Sequence, residues 1–562
     1  MPDTNSNVDS EELVSVFEQR AEHLSRDELE GWTQLSDDDE GVLRKVMGPG
    51  AKLLIGPRGS GKSTFLRIAY FRMLTSPTLV IYVNYARSMA LEPLLHKRAD
   101  ALAIFRQWLL FKIVLGLDTF LGDAGLSKTE ELRVWITQAK EAVREMERGD
   151  VPTTSIRLSP SELVERLEEL VEHFDKRRVV LLLDDAAHAF SPLQQREFFE
   201  VFRELRSRQV SAKAAVYPGV TSYSPNFHVG HEAELVEAWS QPSKDGFVAQ
   251  MRQLLQRRLP QSLRDDLKDR EEVIDYLALA SFGIPRGFLN MVSAVLEASS
   301  GRPSKQHAEA AVREHADQVR AVFKSLNNKL PRYRNILTVA GELESAVVRA
   351  LQSYNTIPRP LGDKTCLIGL DESSDPTLER MISLLEYAGI FRRTTSVSRG
   401  EKGRFQRYYI HHAIMLSEGA YALGKSFPLS AAITAMVHTS SANFARAKPD
   451  NILGANYAAR CSLNLPPCVK CGANRVSEQQ LYCMQCGSEL TDASVYESLL
   501  RRPIADLPIP PRKIEGITEH TTLRSVQDLL LDDLQQAIRR VPYIGPVWAR
   551  RIVTVAEEFV SV

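Results

Sequence analysis

One eight-residue stretch constrains this chain more than any other: Gly56-Pro57-Arg58-Gly59-Ser60-Gly61-Lys62-Ser63, set between the apolar run KLLI and the amphipathic run that begins at Thr64. Its spacing is G-x-x-x-x-G-K-[ST], a pattern with chemical meaning only where a buried strand enters the loop and a helix leaves it. Both flanks meet that condition. The glycines let main-chain N–H groups turn inward onto phosphate oxygens at a helix N-terminus. Lys62 offers a point charge to the β- and γ-phosphates, and the Ser63 hydroxyl is a ligand for Mg²⁺. Residues Gly56 to Thr64 are therefore the expected nucleotide site, with ATP and Mg²⁺ as its occupants. A second buried run, LVIYVN, completes the opening βαβ unit of a parallel sheet.

A magnesium site also needs a carboxylate at the end of a buried strand, expected beside the first one, and RRVVLLLDD supplies Asp184 and Asp185. Asp184 is assigned to the metal, through water. Asp185 is assigned either to polarising the attacking water or to capping the next helix. Between Tyr85 and Arg177 the apolar spacing is helical, far longer than the ~30 residues of a simple βαβ unit. This insertion is either extra packing on the sheet or a partner surface. After KAAVYPG come Thr221 and Ser222, polar groups that are candidates to sense a γ-phosphate. Residues 246–326 carry only helical periods and suit a lid. Within them Gly283-Ile284-Pro285-Arg286 presents Arg286, read as a nucleotide sensor or as a helix-start surface arginine.

The remainder is modular, as expected for 562 residues at roughly 150 per domain. A net charge of −1 means that attraction to nucleic acid must be regional. Helices ELESAVVRALQSY and TLERMISLLEYAG precede a basic hairpin, suggesting a winged helix. Its cations Arg392, Arg393, Arg399, Lys402, Arg404 and Arg407 are either DNA-backbone contacts or one solvated face. Of six cysteines, four stand as Cys468-x-x-Cys471 and Cys483-x-x-Cys486. Four thiolates satisfy tetrahedral Zn²⁺ with no open position, so a structural zinc ribbon is expected, with redox thiols as the alternative. The last segment, LQQAIRRVPYIGPVWARRIVTVAEEF, resembles a helix-hairpin-helix. In that family hairpin amides grip a DNA phosphate, implicating Gly545, Arg550 and Arg551 here. Tyr543 stands where a first glycine is usual, a departure that leaves a protein-docking or purely structural role as the alternative. The N-terminus MPDTNSNVDSEELVS has no signal-like pattern, and no run reaches the ~18 apolar residues of a span, so no membrane association and a cytoplasmic location are expected.

GPRGSGKST, LLLDD and GIPRG, followed by the winged-helix-like segment, resemble Orc-type initiator ATPases of the AAA+ group and the related STAND switch ATPases over residues 45–420. The resemblance implies an α/β fold with an ASCE P-loop sheet, a helical lid whose sensor is Arg286, and a DNA-binding winged helix. Asp185 departs from the usual glutamate, and Arg203, Arg206 and Arg208 are candidates for an arginine finger. The expected division is 1–45 N-terminal helices, 46–240 ATPase core with insertion 85–177, 241–330 lid and 331–425 winged helix. A linker 426–466, zinc ribbon 467–490, Pro-rich linker 491–515 and helix-hairpin-helix 516–562 follow. The expected function is an ATPase switch coupling nucleotide state to DNA binding or homo-oligomer assembly, by resemblance in antiviral defence or mobile elements. The rival is a signalling scaffold that clamps a protein partner through the insertion.

Overall fold

The computed structural model describes residue 21 and residues 24–561, apart from 151–156, 186–190, 300–301, 373–374, 399–402, 438–443, 478–479, 481, 491–493, 533–534 and 543. The N-terminal helix expected around Leu13, Val16 and Phe17 lies outside them, as do Arg399, Lys402 and Tyr543. Among the described residues no helix is long and apolar enough to cross a membrane.

The chain enters through α1 (Arg26–Trp32) and α2 (Asp37–Met47), each opened by a capping box, Ser25 with Glu28 and Ser36 with Asp39. Then come β1 (Lys52–Ile55), the phosphate loop, α3 (Lys62–Leu74) and β2 (Thr78–Asn84). The insertion holds a 3₁₀ stretch (Ala86–His96), α4 (Ala101–Asp123), α5 (Glu130–Glu147) and α6 (Pro160–His173). Helix α4 lies on β2 with Trp108, Leu110, Ile113 and Phe120 fully buried, so this part of the insertion is core. After it come β3 (Arg178–Asp184), α7 (Pro192–Glu204), β4 (Val210–Val216) and β5 (Glu234–Glu237).

These five strands form one parallel sheet in the order β2-β3-β4-β1-β5. Strand β3 is a near-continuous apolar run and β4 is buried along its whole length, Ser211 and Lys213 included, because helices cover both faces. The order corrects one expectation: the strand carrying Asp184 is not beside β1, because β4 lies between them. The chain leaves β1 toward β2 on one side and leaves β4 toward β5 on the other. That divergence opens a crevice at the carboxyl ends of the strands, where α/β sheets take ligands.

The lid comprises α8 (Phe247–Arg258), α9 (Gln261–Asp266), α10 (Glu271–Ala280), α11 (Pro285–Ser299) and α12 (Lys305–Lys329). A winged-helix-like order follows: α13 (Arg334–Thr356), β6 (Leu367–Asp371), α14 (Pro376–Tyr387), β7 (Phe391–Arg393), β8 (Val397–Ser398), β9 (Arg404–Ile410) and α15 (His412–Ser417). The stretch expected as a linker, 426–466, is structured at several points. It contributes α16 (Leu429–Val437), which packs on α10, and β10 (Ala445–Ala447), which extends the sheet to β10-β6-β9-β7. Short helices α17 (Pro449–Leu453) and α18 (Tyr457–Arg460) complete it. The Pro-rich stretch also folds, giving α19 (Val495–Leu500) and α20 (Pro511–His520), before α21 (Val526–Leu530) and α22 (Pro546–Phe559).

Two large hydrophobic cores organise these elements, with two small clusters beside them among the described residues, around Phe282 and around Phe405. One large core surrounds the parallel sheet, from Ala21 to Ala238. The other runs without interruption from Tyr217 through the lid and the winged-helix-like unit to Val560 in the C-terminal segment. Lid, hairpin unit and C-terminal helices are thus one packed body.

Arg392 joins that body to the sheet. Its guanidinium donates to Glu237 Oε1 at 2.9 Å, to Trp239 O at 2.7 Å and to Ser240 O at 2.7 Å, and it lies 4.9 Å from the Trp239 ring. Arg392→Ala leaves two carbonyls without this donor. A loss of about 2–4 kcal/mol in denaturant unfolding is expected, against almost none for the exposed Arg404→Ala.

Candidate functional site

The crevice at the carboxyl edge of β1 continues into a cavity of about 790 Å³ at the seam of the two cores, within the ~300–1,000 Å³ typical of small-molecule sites. One end is walled by Gln34, Leu35 and Asp39 from the N-terminal segment, with Gln250, Met251 and Leu254 from α8. The other end is the phosphate loop.

Gly61, with φ 95°, is the N-cap of α3, so the helix starts at Lys62 with its N–H groups facing the cavity. Gly59 has φ 83°, and a Cβ there would lie 3.1 Å from the Arg286 Cβ. Arg286 therefore rests directly on the loop. Its placement depends on Gly283, whose φ is 79° and where a Cβ would sit 1.9 Å from Ser240 O. Only glycine allows the lid to approach β5's exit closely enough to begin α11 over the loop.

Lys62 is 5% exposed. Its Nζ donates to Gly56 O at 2.9 Å and Pro57 O at 3.0 Å and stands 3.8 Å from the centre of the Tyr217 ring. Burial lowers its pKa to about 7, against the opposing pull of Asp185 and Asp184. Ser63 Oγ donates to Asp184 Oδ1 at 3.2 Å, the Asp185 amide donates to the same oxygen at 3.0 Å, and Tyr82 OH donates to Oδ2 at 2.8 Å. Serine hydroxyl and carboxylate thus meet on adjacent secondary elements, the donor pair a hard divalent cation takes. The fit to an anion is equally specific: Ser60 Oγ and Arg286 Nε are buried and lack a hydrogen-bond partner among the described residues.

Asp185 has φ 51°, a left-handed backbone uncommon outside glycine, and it lines the cavity. The next helix among the described residues, α7, starts at Pro192 under Ser191. Such strain beside a cavity points to a functional constraint. Thr221 differs from expectation. Its hydroxyl donates to Tyr217 O at 2.7 Å and accepts from Tyr217 N at 3.1 Å, locking the turn after β4. Tyr217 is the residue that β4 presents to the site. Arg203 and Arg206 pair with Glu200 and Glu232. With Arg208 they sit at the end of α7 that leads into β4, the edge of the sheet opposite the loop.

Several residues of the site were not anticipated. Tyr82, which holds Asp184 from behind, and Tyr217, which lines the cavity, were visible as aromatics near strand ends. Glu557, Glu558 and Ser561 carry no such signal, yet all three line the same cavity. Arg286 Nη1 donates to Glu558 Oε1 at 3.0 Å, and Arg58 lies 3.7 Å from that oxygen and donates to Ser561 Oγ at 3.3 Å. Burial disfavours the Arg58 charge, but Glu558, helped by Tyr387, Tyr217 and Asp185, holds its pKa above the usual value.

The four cysteines converge. The Sγ atoms of Cys468, Cys471, Cys483 and Cys486 all lie within 4.8 Å of one another, with 3.6 Å between Cys468 and Cys486 and 3.5 Å between Cys471 and Cys483. These spacings exceed a covalent S–S bond of about 2.05 Å and suit thiolates about 2.3 Å from a central zinc. Cys461 and Cys366 stand apart, both buried.

The basic hairpin differs from expectation at two positions. Arg392 is committed to the core seam. Arg407 is buried, with its Nε on Thr395 O at 2.9 Å. Both are turned away from any backbone in solvent. Arg393 pairs with Glu379 at 2.6 Å and Arg404 with Glu372 at 2.7 Å. Helix α14, which precedes the hairpin, is packed inward, and its Tyr387 carbonyl accepts from Arg58 N at 3.4 Å. Arg550 and Arg551 are exposed on the first turns of α22, behind Gly545 at its N-cap.

Two measurements test this geometry. If a triphosphate requires the Lys62 ammonium, binding above pH 7 takes up a proton, and affinity falls roughly tenfold per unit between pH 7 and 9. Calorimetric titration in buffers of different ionisation enthalpy reads the proton count, and no uptake at pH 8.5 contradicts the assignment. The purified chain is also expected to carry one zinc, lost in Cys471→Ser, with increased proteolysis confined to the cysteine module.

Among known proteins, no family model and no curated sequence matches this chain. A solved structure, the Aeropyrum pernix ORC1 protein in complex with DNA, is similar at 16% identity over 70% of this chain and 94% of that one, with a TM-score of 0.27. So coarse a likeness carries no argument about the site.

Proposed function

We propose that this chain is an ATP-binding and hydrolysing switch in which Mg²⁺–ATP bridges the two cores and so couples nucleotide state to DNA binding or assembly. The observation that carries the reading is the meeting of Lys62, Ser63 and Asp184 at the head of α3, where Lys62 and Ser63 line a cavity walled on its far side by the lid and Asp184 lies buried behind Ser63. Lys62 exchanges the Gly56 and Pro57 carbonyls for the β- and γ-phosphates. Ser63 and Asp184 hold the metal, which when bound neutralises charge on those oxygens. Asp185 orients the attacking water, and Arg286 receives the charge that develops on the terminal phosphate. The outer wall around Gln34, Leu35 and Gln250 offers polar and apolar contacts to a base.

DNA binding is supported by Gly545, Arg550 and Arg551, with Arg393 and Arg404 as peripheral contributors. The inward turn of Arg392, Arg407 and α14 favours the scaffold reading over a groove-reading winged helix. A role in antiviral defence or mobile elements belongs to the same proposal and has no support in the geometry.

Lys62→Ala is expected to reduce ATP turnover by about 10²–10³-fold with the zinc content unchanged. DNA retention titrated against salt, with and without ATP, separates the two readings. A steep salt dependence that responds to ATP supports the DNA switch. Turnover without salt-dependent DNA binding leaves the scaffold.

A further inference from the structure

The nucleotide cavity is already occupied at its phosphate end by part of the chain itself. Three cations from distant segments converge on the C-terminal end of α22: Arg58 from the phosphate loop, Arg286 from α11 and Lys329 from the end of α12. Arg286 donates to the Glu558 carboxylate at 3.0 Å, Arg58 stands 3.7 Å from it, and Lys329 Nζ donates to the Glu558 main-chain oxygen at 3.1 Å. Lys329 is only 4% exposed. A buried ammonium at the end of a helix is placed where the macrodipole is negative and the last carbonyls lack intrahelical donors.

A carboxylate on two guanidiniums and a helix terminus on an ammonium together make an anionic plug in a cationic receptor. The same receptor borders the orphaned Ser60 hydroxyl and the orphaned Arg286 Nε, so it is continuous with the phosphate cradle. The plug is held from outside as well. The Val495 amide donates to Glu92 Oε1 at 3.1 Å, Lys97 pairs with Glu497 at 2.7 Å, and Arg502 donates to Asn328 Oδ1 at 3.0 Å. These contacts fasten the rest of the C-terminal segment to the insertion and the lid and keep Glu558 close when it is displaced.

We propose that Arg58, Arg286 and Lys329 form the receptor for the terminal phosphate of a nucleoside triphosphate, and that Glu558 is its internal competitor. A γ-phosphate carries more charge than one carboxylate and adds bidentate acceptors. Binding a triphosphate therefore lifts the end of α22 out of the seam. A diphosphate, which does not reach the receptor, leaves it in place. The C-terminal helix with Arg550 and Arg551 becomes the element that nucleotide state moves. The inference rests on the phosphate-loop reading above.

The test uses the full chain with a non-hydrolysable ATP analogue and with ADP. Glu558→Gln keeps the shape and removes the competing charge. It is expected to bind the analogue about ten-fold more tightly, the factor for a plug seated about 90% of the time, with ADP affinity unchanged. Hydrogen exchange in the wild-type chain is expected to quicken across 546–561 with the analogue and to stay slow with ADP. Equal analogue affinity in Glu558→Gln and wild type, or exchange across 546–561 indifferent to the analogue, overturns the proposal while leaving the phosphate loop intact. If the variant does not fold, the wild-type exchange decides alone. A wild-type chain that binds neither nucleotide refutes the phosphate-loop reading itself, a separate outcome.

Discussion

Burying the Lys62 ammonium at the seam between two hydrophobic cores is the constraint on which the rest of the structure depends. Desolvation disfavours that charge strongly enough to bring its pKa near 7. The fold answers with two loop carbonyls, the face of Tyr217 and the carboxylates of Asp184 and Asp185. Each of those groups comes from a different strand end, so the lysine position dictates that β1, β3 and β4 finish at one edge. The order β2-β3-β4-β1-β5 achieves this and leaves the crevice open above.

The lid, the hairpin unit and the C-terminal helices close that crevice as a single body. Because one continuous core joins α8 to α22, displacing any part of the cavity's outer wall is felt in the hairpin unit and the C-terminal segment. Arg392 and the Tyr387 carbonyl connect the hairpin unit to β5's exit and to the loop. A ligand at the seam therefore acts on a boundary between two rigid packings, the arrangement in which small local shifts become relative motions of whole bodies. The cysteine module stands outside both cores, with Val469 and Met484 almost fully exposed, and four thiolates on one metal would supply the cohesion that its own apolar contacts do not.

Wherever the chemistry is local, the sequence was a sufficient guide. The phosphate loop is read from eight consecutive residues, β3 from the unbroken apolar run VVLLL, β4 from the short stretch KAAVYPG, and the knuckles from paired Cys-x-x-Cys spacing. Two kinds of element escaped. Strand β5, ELVE, and β10, ARA, are short strands at the outer ends of their sheets, with too few buried positions to show a period. Arg392 and Arg407 read as members of a basic face because charge patterning reports residue type and is silent on direction.

What the sequence determined by itself was the chemistry available: a cradle of amides with a lysine, a serine and two aspartates, four thiolates, and helices enough to cover a parallel sheet. What only the tertiary structure decided was which distant groups share a space. Arg58 and Ser561, 503 residues apart, are within hydrogen-bond reach, and Arg286 meets Glu558 across 272. Pairings of that kind follow from how two cores meet. No local periodicity encodes them, because the free energy that brings the two surfaces together is distributed over the whole interface and not over the residues that touch the site.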